Sequence, residues 1–467
     1  MKVIIKACLA TAVLTSVATL GFSQKKGIES WITSPEKSIL FEKQKENVSF
    51  GKNTNDYPTI DVNAKQTYQS MDGFGYTLTG GSAGHFLKMS QSARTALLKE
   101  LFGTDGHNIG TSFLRVSIGA SDLNEKVFSY NDLAAGETDP AMKKFDLGQD
   151  KKDVIPVLKE ILAINPKIKI LGSPWSPPTW MKTNNDTRGG SLKPEWYQAY
   201  ALYLVKYVQA MKTEGINIYA ITVQNEPLHP GNNPSLLMLA PDQAIFVKTA
   251  LGPAFEKAGI KTKIILYDHN CDRPDYPISI MNDPEAKKYV DGSAFHLYGG
   301  KIDALTEVHN AHPDKNLYFT EQWVGAPGNL KEELDFHIKD MIIGAPRNWS
   351  RTVLEWNISN NPQNTPYTDR GGCDRCLGAV TIDNDKVTRN PAYYTIAHAA
   401  KFVRPGSVRI ASNTSEELPN VTYKTPSGKY VVIAYNNKSE AQTFNIRFNN
   451  QIATLTLDGK AAATYVW

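Results

Sequence analysis

Cysteine is scarce in this chain: Cys8, Cys271, Cys373 and Cys376 are the four in 467 residues. They give a single Cys-x-x-Cys pair, Cys373/Cys376, and without a second pair a structural zinc is not expected. No βαβ context surrounds the pair, so a thioredoxin-like role is not expected either. An excess of one charge sign is also missing. Lys and Arg number 51 against 47 Asp and Glu, a net charge of +4. That is too small for a chain of this size to imply a nucleic-acid partner, and there is no basic run to form a nucleic-acid arm. After residue 22 no stretch is long and apolar enough to span a bilayer. Glycine-rich phosphate loops are absent, and the histidines show no metal-ligand spacing beyond His309-x-x-His312, which reads as surface. No cofactor and no metal are therefore expected. There is no internal repeat and no low-complexity tract. What remains is an ordinary globular composition, 41% hydrophobic and 21% charged, in a chain long enough for a large core or two domains.

The one long apolar run is at the start. Lys2 and Lys6 precede Ala7–Phe22, and Gly21-Phe22-Ser23 is a small-x-small cleavage site. Residues 1–23 read as a signal peptide, and at about 16 residues the apolar run is short for a membrane span. A secreted or periplasmic location is expected, with no integral membrane segment once the signal is cleaved. In an exported protein Cys373 and Cys376 read as a local disulfide.

Residues 24–65 are polar, relieved by Trp31 and two apolar patches, Ile39–Phe41 and Val48–Phe50. They read as short strands that belong with another part of the chain. Residues 66–402 alternate strand, loop and helix, the pattern of an α/β barrel. Eight strands are expected at Gln69–Tyr76, Thr111–Ile118, Ile168–Ser173, Ile218–Val223, Lys263–Tyr267, Gly292–His296, Leu317–Thr320 and Arg351–Glu355. Helical periodicity fills Ser90–Leu101, Lys152–Ile164, Pro194–Thr213, Ala240–Ala258, Pro284–Tyr289, Lys331–Ile343 and Asn390–Lys401. Residues 403–467 return to short alternating strands with Gly, Asn and Asp turns, which predicts a β-sandwich. The fold class is α/β: a (β/α)8 TIM barrel with a side β-sandwich built from both termini.

The chemistry is carried by the strand ends. Ile221–Val223 runs into Gln224-Asn225-Glu226-Pro227, and Leu317–Thr320 runs into Glu321-Gln322-Trp323. A lone strand-end glutamate is more often a salt-bridge partner, but here polar residues cluster on six strand ends: Arg115 to Asp122, Ser173 to Trp180, Asn225-Glu226, His296 to Tyr298, Glu321 to Trp323, and Glu355 to Asn357. A barrel rim has no structural need for so much polarity. Two carboxyls facing one site are what glycosidic cleavage requires, one to donate a proton and one to stay ionised opposite it. Aromatic faces beside them suit sugar rings.

These stretches resemble a known family. Gln69-x-Met-Asp-Gly-Phe-Gly75, Leu114-Arg-Val-Ser117 with Ser121-Asp122, Ser173-Pro-Trp-Ser-Pro-Pro-Thr-Trp-Met-Lys182, Val223-Gln-Asn-Glu-Pro227, Asp283–Tyr289, His296-x-Tyr298, Thr320-Glu321 and Trp356-Asn357 are similar to glycoside hydrolase family 30. That family holds lysosomal glucosylceramidase and microbial endo-β-1,6-glucanases. The resemblance implies Glu226 as general acid/base, Glu321 as nucleophile and Asn225 on the sugar 2-hydroxyl. It implies Asp122, Trp175 and Trp356 around the non-reducing glucose, Tyr298 beside the nucleophile, and Arg115 as partner of a carboxylate. Trp175 and Trp356 have a plainer alternative as barrel core. His296 and Trp323 are further expected substrate-binding residues. The chain departs from glucosylceramidase after strand six, at Tyr298-Gly-Gly300, and after strand eight, where Gly371–Gly378 inserts the stapled loop. That loop resembles the bacterial glucanase branch. The expected partner is a β-glucoside, β-1,6-glucan first, with glucosylceramide, another β-glucoside or xylan as alternatives. A carbohydrate-binding protein on a dead barrel would be expected to lose one carboxylate, and both are present. Retention further predicts carboxyls about 5–5.5 Å apart, with the charge of Glu321 raising the Glu226 pKa.

Overall fold

The computed structural model describes residues 27–52 and 54–467; the expected signal peptide lies outside the described residues. Eight parallel strands close into a barrel: Gly73–Leu78, Phe113–Ile118, Lys169–Pro174, Ala220–Thr222, Lys263–Cys271, Val290–Gly300, Asn316–Glu321 and Ser350–Asn357. The last pairs with the first, Thr352 opposite Gly73. Glu226 follows the fourth strand and Glu321 ends the seventh. Among the described residues no helix is long and apolar enough to cross a membrane.

The barrel interior explains why the site sits where it does. Phe113, Leu171, Ala220, Ile265, Ala294, Tyr318 and Leu354, one from each of seven strands, pack together in a buried cluster. Side chains on a strand return to the same face every second residue. Two residues on from that apolar plug come Arg115, Ser173, Thr222, His296, Thr320 and Trp356. The layer toward the strand C-terminal ends is therefore polar because the sequence changes character at one inward step. Strand five breaks the alternation: Tyr267 and Asp268 have φ of 69° and 68°, and the register to strand six shifts between Tyr267 and His269. The bulge turns Asp268 inward.

Helices cover the outside. Val154–Ile164 buries Val154, Ile155, Val157, Leu158 and Ile161, with Asp153 accepting from its own first turn. Gln91–Phe102 starts at Ser90, whose hydroxyl accepts from Ala93 N. Gly80–Lys88, Asp275–Met281 and Ala304–Ala311 are helices that the periodicity did not predict. In the first of these, Gly80, Gly81 and Gly84 hide the apolar stripe. Gln69 and Ser70, expected to open the first barrel strand, instead end the preceding strand, Thr59–Ser70.

That strand ties the second layer together. Its first residues pair in parallel with Asn445–Arg447, and its later ones pair antiparallel with Val408–Ser412. It thus joins the two parts of a nine-stranded sandwich. Glu29–Ser34 pairs with Ala462–Val466, so both termini build it, as expected. Ile39–Lys43 is a strand, but Val48–Phe50 is not: Val48 makes only an isolated bridge to Ile28. The sandwich meets the last barrel helix, Pro391–Ala400, through buried His398, 2.9 Å from both Thr464 Oγ1 and Thr33 Oγ1.

Candidate active site

One cavity of about 450 Å³ opens at the C-terminal face of the barrel. Asp122, Trp175, Asn225, Glu226, Tyr298, Glu321, Trp323, Trp356 and the two loop cysteines line it. The structure thus gathers residues as far apart in the chain as Asp122 and Cys376 around one space. Cys373 and Cys376 are disulfide-bonded. Arg115 and His296 are fully buried beneath the cavity. Glu355, the acid at the end of strand eight, points out of the barrel to His337 Nδ1, 2.6 Å away.

Backbone strain places Glu226. Its φ is 44°, left-handed backbone for a non-glycine residue and immediately before Pro227. Asn225 N to Pro174 O, 2.8 Å, Glu226 N to Asp268 O, 3.0 Å, and His229 N to Glu226 O, 2.9 Å, hold the turn. Glu226, together with Tyr267 and Asp268, makes three such residues within the ends of two adjacent strands, the clustering expected where geometry serves chemistry.

Asp268 is the hub beneath the cavity. Its Oδ2 accepts from Arg115 Nη2 at 2.8 Å, Ser173 Oγ at 2.7 Å and Thr222 Oγ1 at 2.8 Å. Its Oδ1 lies 3.0 Å from His296 Nε2 and accepts from Thr320 Oγ1 at 2.6 Å. Arg115 continues to Glu321 Oε2 at 2.5 Å and to Asn225 Oδ1 at 2.6 Å. His296 Nδ1 continues to Glu226 Oε1 at 3.1 Å. Asp268 thus supports Glu321 through one side chain and Glu226 through another. Tyr298 adds its hydroxyl to Glu321 Oε1 at 2.9 Å while its ring stays exposed at the mouth. An oxygen of Glu226, an oxygen of Glu321 and a nitrogen of His296 lie within 4.8 Å of one another.

The charges follow from this wiring. Burial pushes Asp268 upward, but the Arg115 charge and the bonds from His296 and Thr320 hold it well below the usual carboxylate range. Burial works against the charged form of His296, yet the Glu321 charge and the bonds to Asp268 and Glu226 raise its pKa to about 9. Glu226 differs from the sequence expectation. Burial raises it, but the His296 bond and charge bring it below its ordinary value. Glu321 is raised, by burial first: the His296 and Arg115 charges pull it down, the smaller Glu226 and Asp268 charges push it up, and burial decides the direction. The charged form of His296, one hydrogen bond from Glu226, is therefore the one this wiring favours. Asp122 has burial and the charges of Glu321 and Glu226 against it, and its pKa rises to about 8.

Trp175 and Trp356 stand 5.4 Å apart, with the Arg115 guanidinium 4.8 and 5.7 Å from their rings. They are only 1% and 4% exposed, so each is a cavity wall and a piece of the core at once. Cavity wall and barrel core are therefore not alternatives for these two rings. Trp175→Ala should lose about 3–5 kcal/mol of stability as well as activity. An unchanged melting temperature would show that the ring is wall alone.

Sequence reasoning missed Asp268, His269, Asn270, His229 and Asn232. The signal was available: Asp268-His269-Asn270 is a polar strand end like the other six, but the expected fifth strand stops at Tyr267.

Comparison with known proteins places this arrangement. The sequence model of the Glycosyl hydrolase family 30 TIM-barrel domain matches residues 71–403, and that family's β-sandwich domain matches 406–465. The chain belongs to glycoside hydrolase family 30. Among family 30 relatives, an endo-1,6-β-D-glucanase of Aspergillus fumigatus is 34% identical over 403 residues, 81% of this chain and 80% of that one. The lysosomal acid glucosylceramidase of Mus musculus is 29% identical over 437 residues, 87% of this chain and 83% of that one. Among solved structures, an endo-β1,6-glucanase superposes with a TM-score of 0.87 at 34% identity, covering 94% of this chain and 99% of its own.

Proposed function

We propose that this family 30 chain is an exported retaining hydrolase of β-1,6-linked glucan, acting within the chain of sugars. The observation that carries the reaction class is that an oxygen of Glu226 and an oxygen of Glu321 lie within 4.8 Å of each other in one cavity. Inversion needs about 6.5–9.5 Å between the carboxyls to admit a water, whereas direct attack on the anomeric carbon needs the closer spacing. The relatives named as endo-1,6-β-glucanases support the linkage, and the signal-like residues 1–23 support export.

In this reading Glu321 is the nucleophile. Arg115 and Tyr298 aim its two oxygens and stabilise its charge. Glu226 is the acid/base, and the proton it donates is supplied across the His296 bond. Asn225, with its carbonyl oxygen on Arg115, offers its amide to the sugar 2-hydroxyl. Trp175, Trp356 and Trp323 enclose the glucose, and the Asp122 carboxyl bonds its hydroxyls, as donor where it holds its proton and as acceptor where it does not. Attack by Glu321 forms a covalent glucosyl ester as Glu226 protonates the leaving oxygen. The ester removes the charge of Glu321, and Glu226 then takes a proton from the water that releases the sugar.

Incubation with β-1,6-glucan, β-1,3-glucan, xylan and glucosylceramide, with chromatography of the products, tests the substrate. Short β-1,6-linked oligosaccharides from the first alone are expected. Glucose from glucosylceramide as the dominant product would replace the glucan reading with the second one.

A further inference from the structure

Part of the cavity wall has no role in the mechanism above: His229, Asn232, His269 and Asn270, beside the Cys373–Cys376 bridge. This wall lies on the Glu226 side. His229 follows Glu226 in the same turn, and the His269 ring is 6.4 Å from that of His296, the hydrogen-bond partner of Glu226. The side that carries the proton donor is where the leaving group sits.

The stapled loop closes this wall. At one end Asn233 Nδ2 donates to Asp369 O at 3.0 Å, and Thr368 donates its hydroxyl to Asn233 O. Gly371, with φ 143°, passes so close to the strand-four loop that a Cβ there would meet Gly231 O at 2.6 Å. At the other end Cys376 pairs with Gly325, just beyond Trp323, and Ala326 N donates to Arg375 O. The loop therefore spans from the strand-four side to the strand-seven side of the mouth.

Two polar groups of the wall keep hydrogen-bonding capacity. His269 is buried, and its Nδ1 has no partner among the described residues. The bulge at Tyr267 and Asp268 turns this side chain into the cavity although its neighbour Asp268 already points inward. Burial lowers the His269 pKa to about 4, against the opposing charge of Glu226. The ring is therefore neutral, one of its nitrogens a donor and the other an acceptor. Asn270 Oδ1 accepts from Tyr298 N at 3.0 Å, which fixes the carboxamide and leaves Nδ2 as a donor.

We propose that His269 and Asn270 form the leaving-group site, and that they read the hydroxyls of a departing sugar rather than accommodate an alkyl or lipid aglycone. A neutral imidazole and a fixed amide next to each other match neighbouring sugar hydroxyls, each of which donates and accepts. An alkyl chain in the same place would strip water from both groups and leave them unpaired. Sites built to bond a hydroxyl reject the analogue that lacks it far more strongly than apolar pockets reject an extra one. Selectivity between glucan and glucolipid is then set on this wall, while the glucose site is common to both.

The proposal rests on the glucan reading, and one experiment separates the two. The full chain and its His269→Ala, His269→Gln and Asn270→Ala variants are assayed on β-1,6-linked glucotriose and on octyl β-glucoside, reading the ratio of the two kcat/KM values. Wild type is expected to favour the trisaccharide. His269→Ala and Asn270→Ala should each lower the ratio about tenfold or more, and His269→Gln, which keeps a donor and an acceptor, should recover part of it. Ratios within twofold of wild type in the folded variants overturn the leaving-group site and leave the glucan reading standing. Should His269→Ala not fold, the ratio for Asn270→Ala, at a half-buried position, decides the matter alone. A wild type that cleaves only the octyl glucoside overturns the glucan reading, and the site falls with it.

Discussion

Glu321→Ala is expected to lose activity by about 10⁴-fold or more, since the nucleophile and its partners act as a unit. Azide or formate should restore turnover and give the product of opposite anomeric configuration, because a small anion then attacks from the vacated face. Glu226→Ala should behave differently. On substrates that need protonation it should lose about 10²–10⁴-fold. On an aryl glucoside with a good leaving group the first step should survive, and azide should give a product of retained configuration. An oxygen of each carboxylate within 4.8 Å favours this outcome over inversion, which needs about 6.5–9.5 Å between the carboxyls to admit a water. NMR of the first product anomer from wild type is the direct check. Inverted product at early times would remove the nucleophile assignment from Glu321.

Much of this site was legible because strand periodicity and strand-end chemistry coincide. A buried barrel strand gives a short apolar run, and the polar residue that ends it marks the rim. That rule found Glu226, Glu321, Arg115 and Tyr298 from local sequence. It failed at strand five for a physical reason. The bulge at Tyr267 and Asp268 puts two consecutive left-handed residues in the strand, and alternation gives no warning of a residue that turns inward out of phase. Burial depth was also hidden. A strand-end histidine reads as a sugar contact, but His296 sits below the cavity with both nitrogens engaged. The direction of the Glu226 shift was missed in consequence. Proximity to Glu321 suggested a raised pKa, whereas the dominant opposing partner is an imidazolium the sequence could not place. In the sandwich, turn residues marked 403–467 as a run of short strands, and six strands lie there. The N-terminal strand Glu29–Ser34 escaped because its sequence, Glu-Ser-Trp-Ile-Thr-Ser, has too little apolar content to stand out without its partner Ala462–Val466.

Asp268→Asn is expected to move the pH dependence as well as the rate. The substitution keeps the shape but removes the charge that faces Arg115 and His296. Arg115 retains Glu321, so the fold should persist, with a loss toward the low end of the about 3–5 kcal/mol that a broken buried pair costs. Misplacement of the two glutamates should lower kcat/KM by about 10²-fold. The pH effect follows from His296, which faces Glu226, Glu321 and Asp268, with the His269 ring 6.4 Å away. Its folded pKa of about 9 lies above its ordinary value of 6.5. Its charged form therefore adds stability that is fully present below the unfolded pKa and is lost as pH rises through about 9. Without the Asp268 charge that folded pKa falls, so both the loss of stability and the alkaline limb of kcat/KM should move to lower pH. A structural role alone would lower the rate at every pH and leave the limb in place. His296→Asn gives the second reading: it should remove the limb near pH 9 altogether, because the proton that Glu226 draws on would no longer be held beside it.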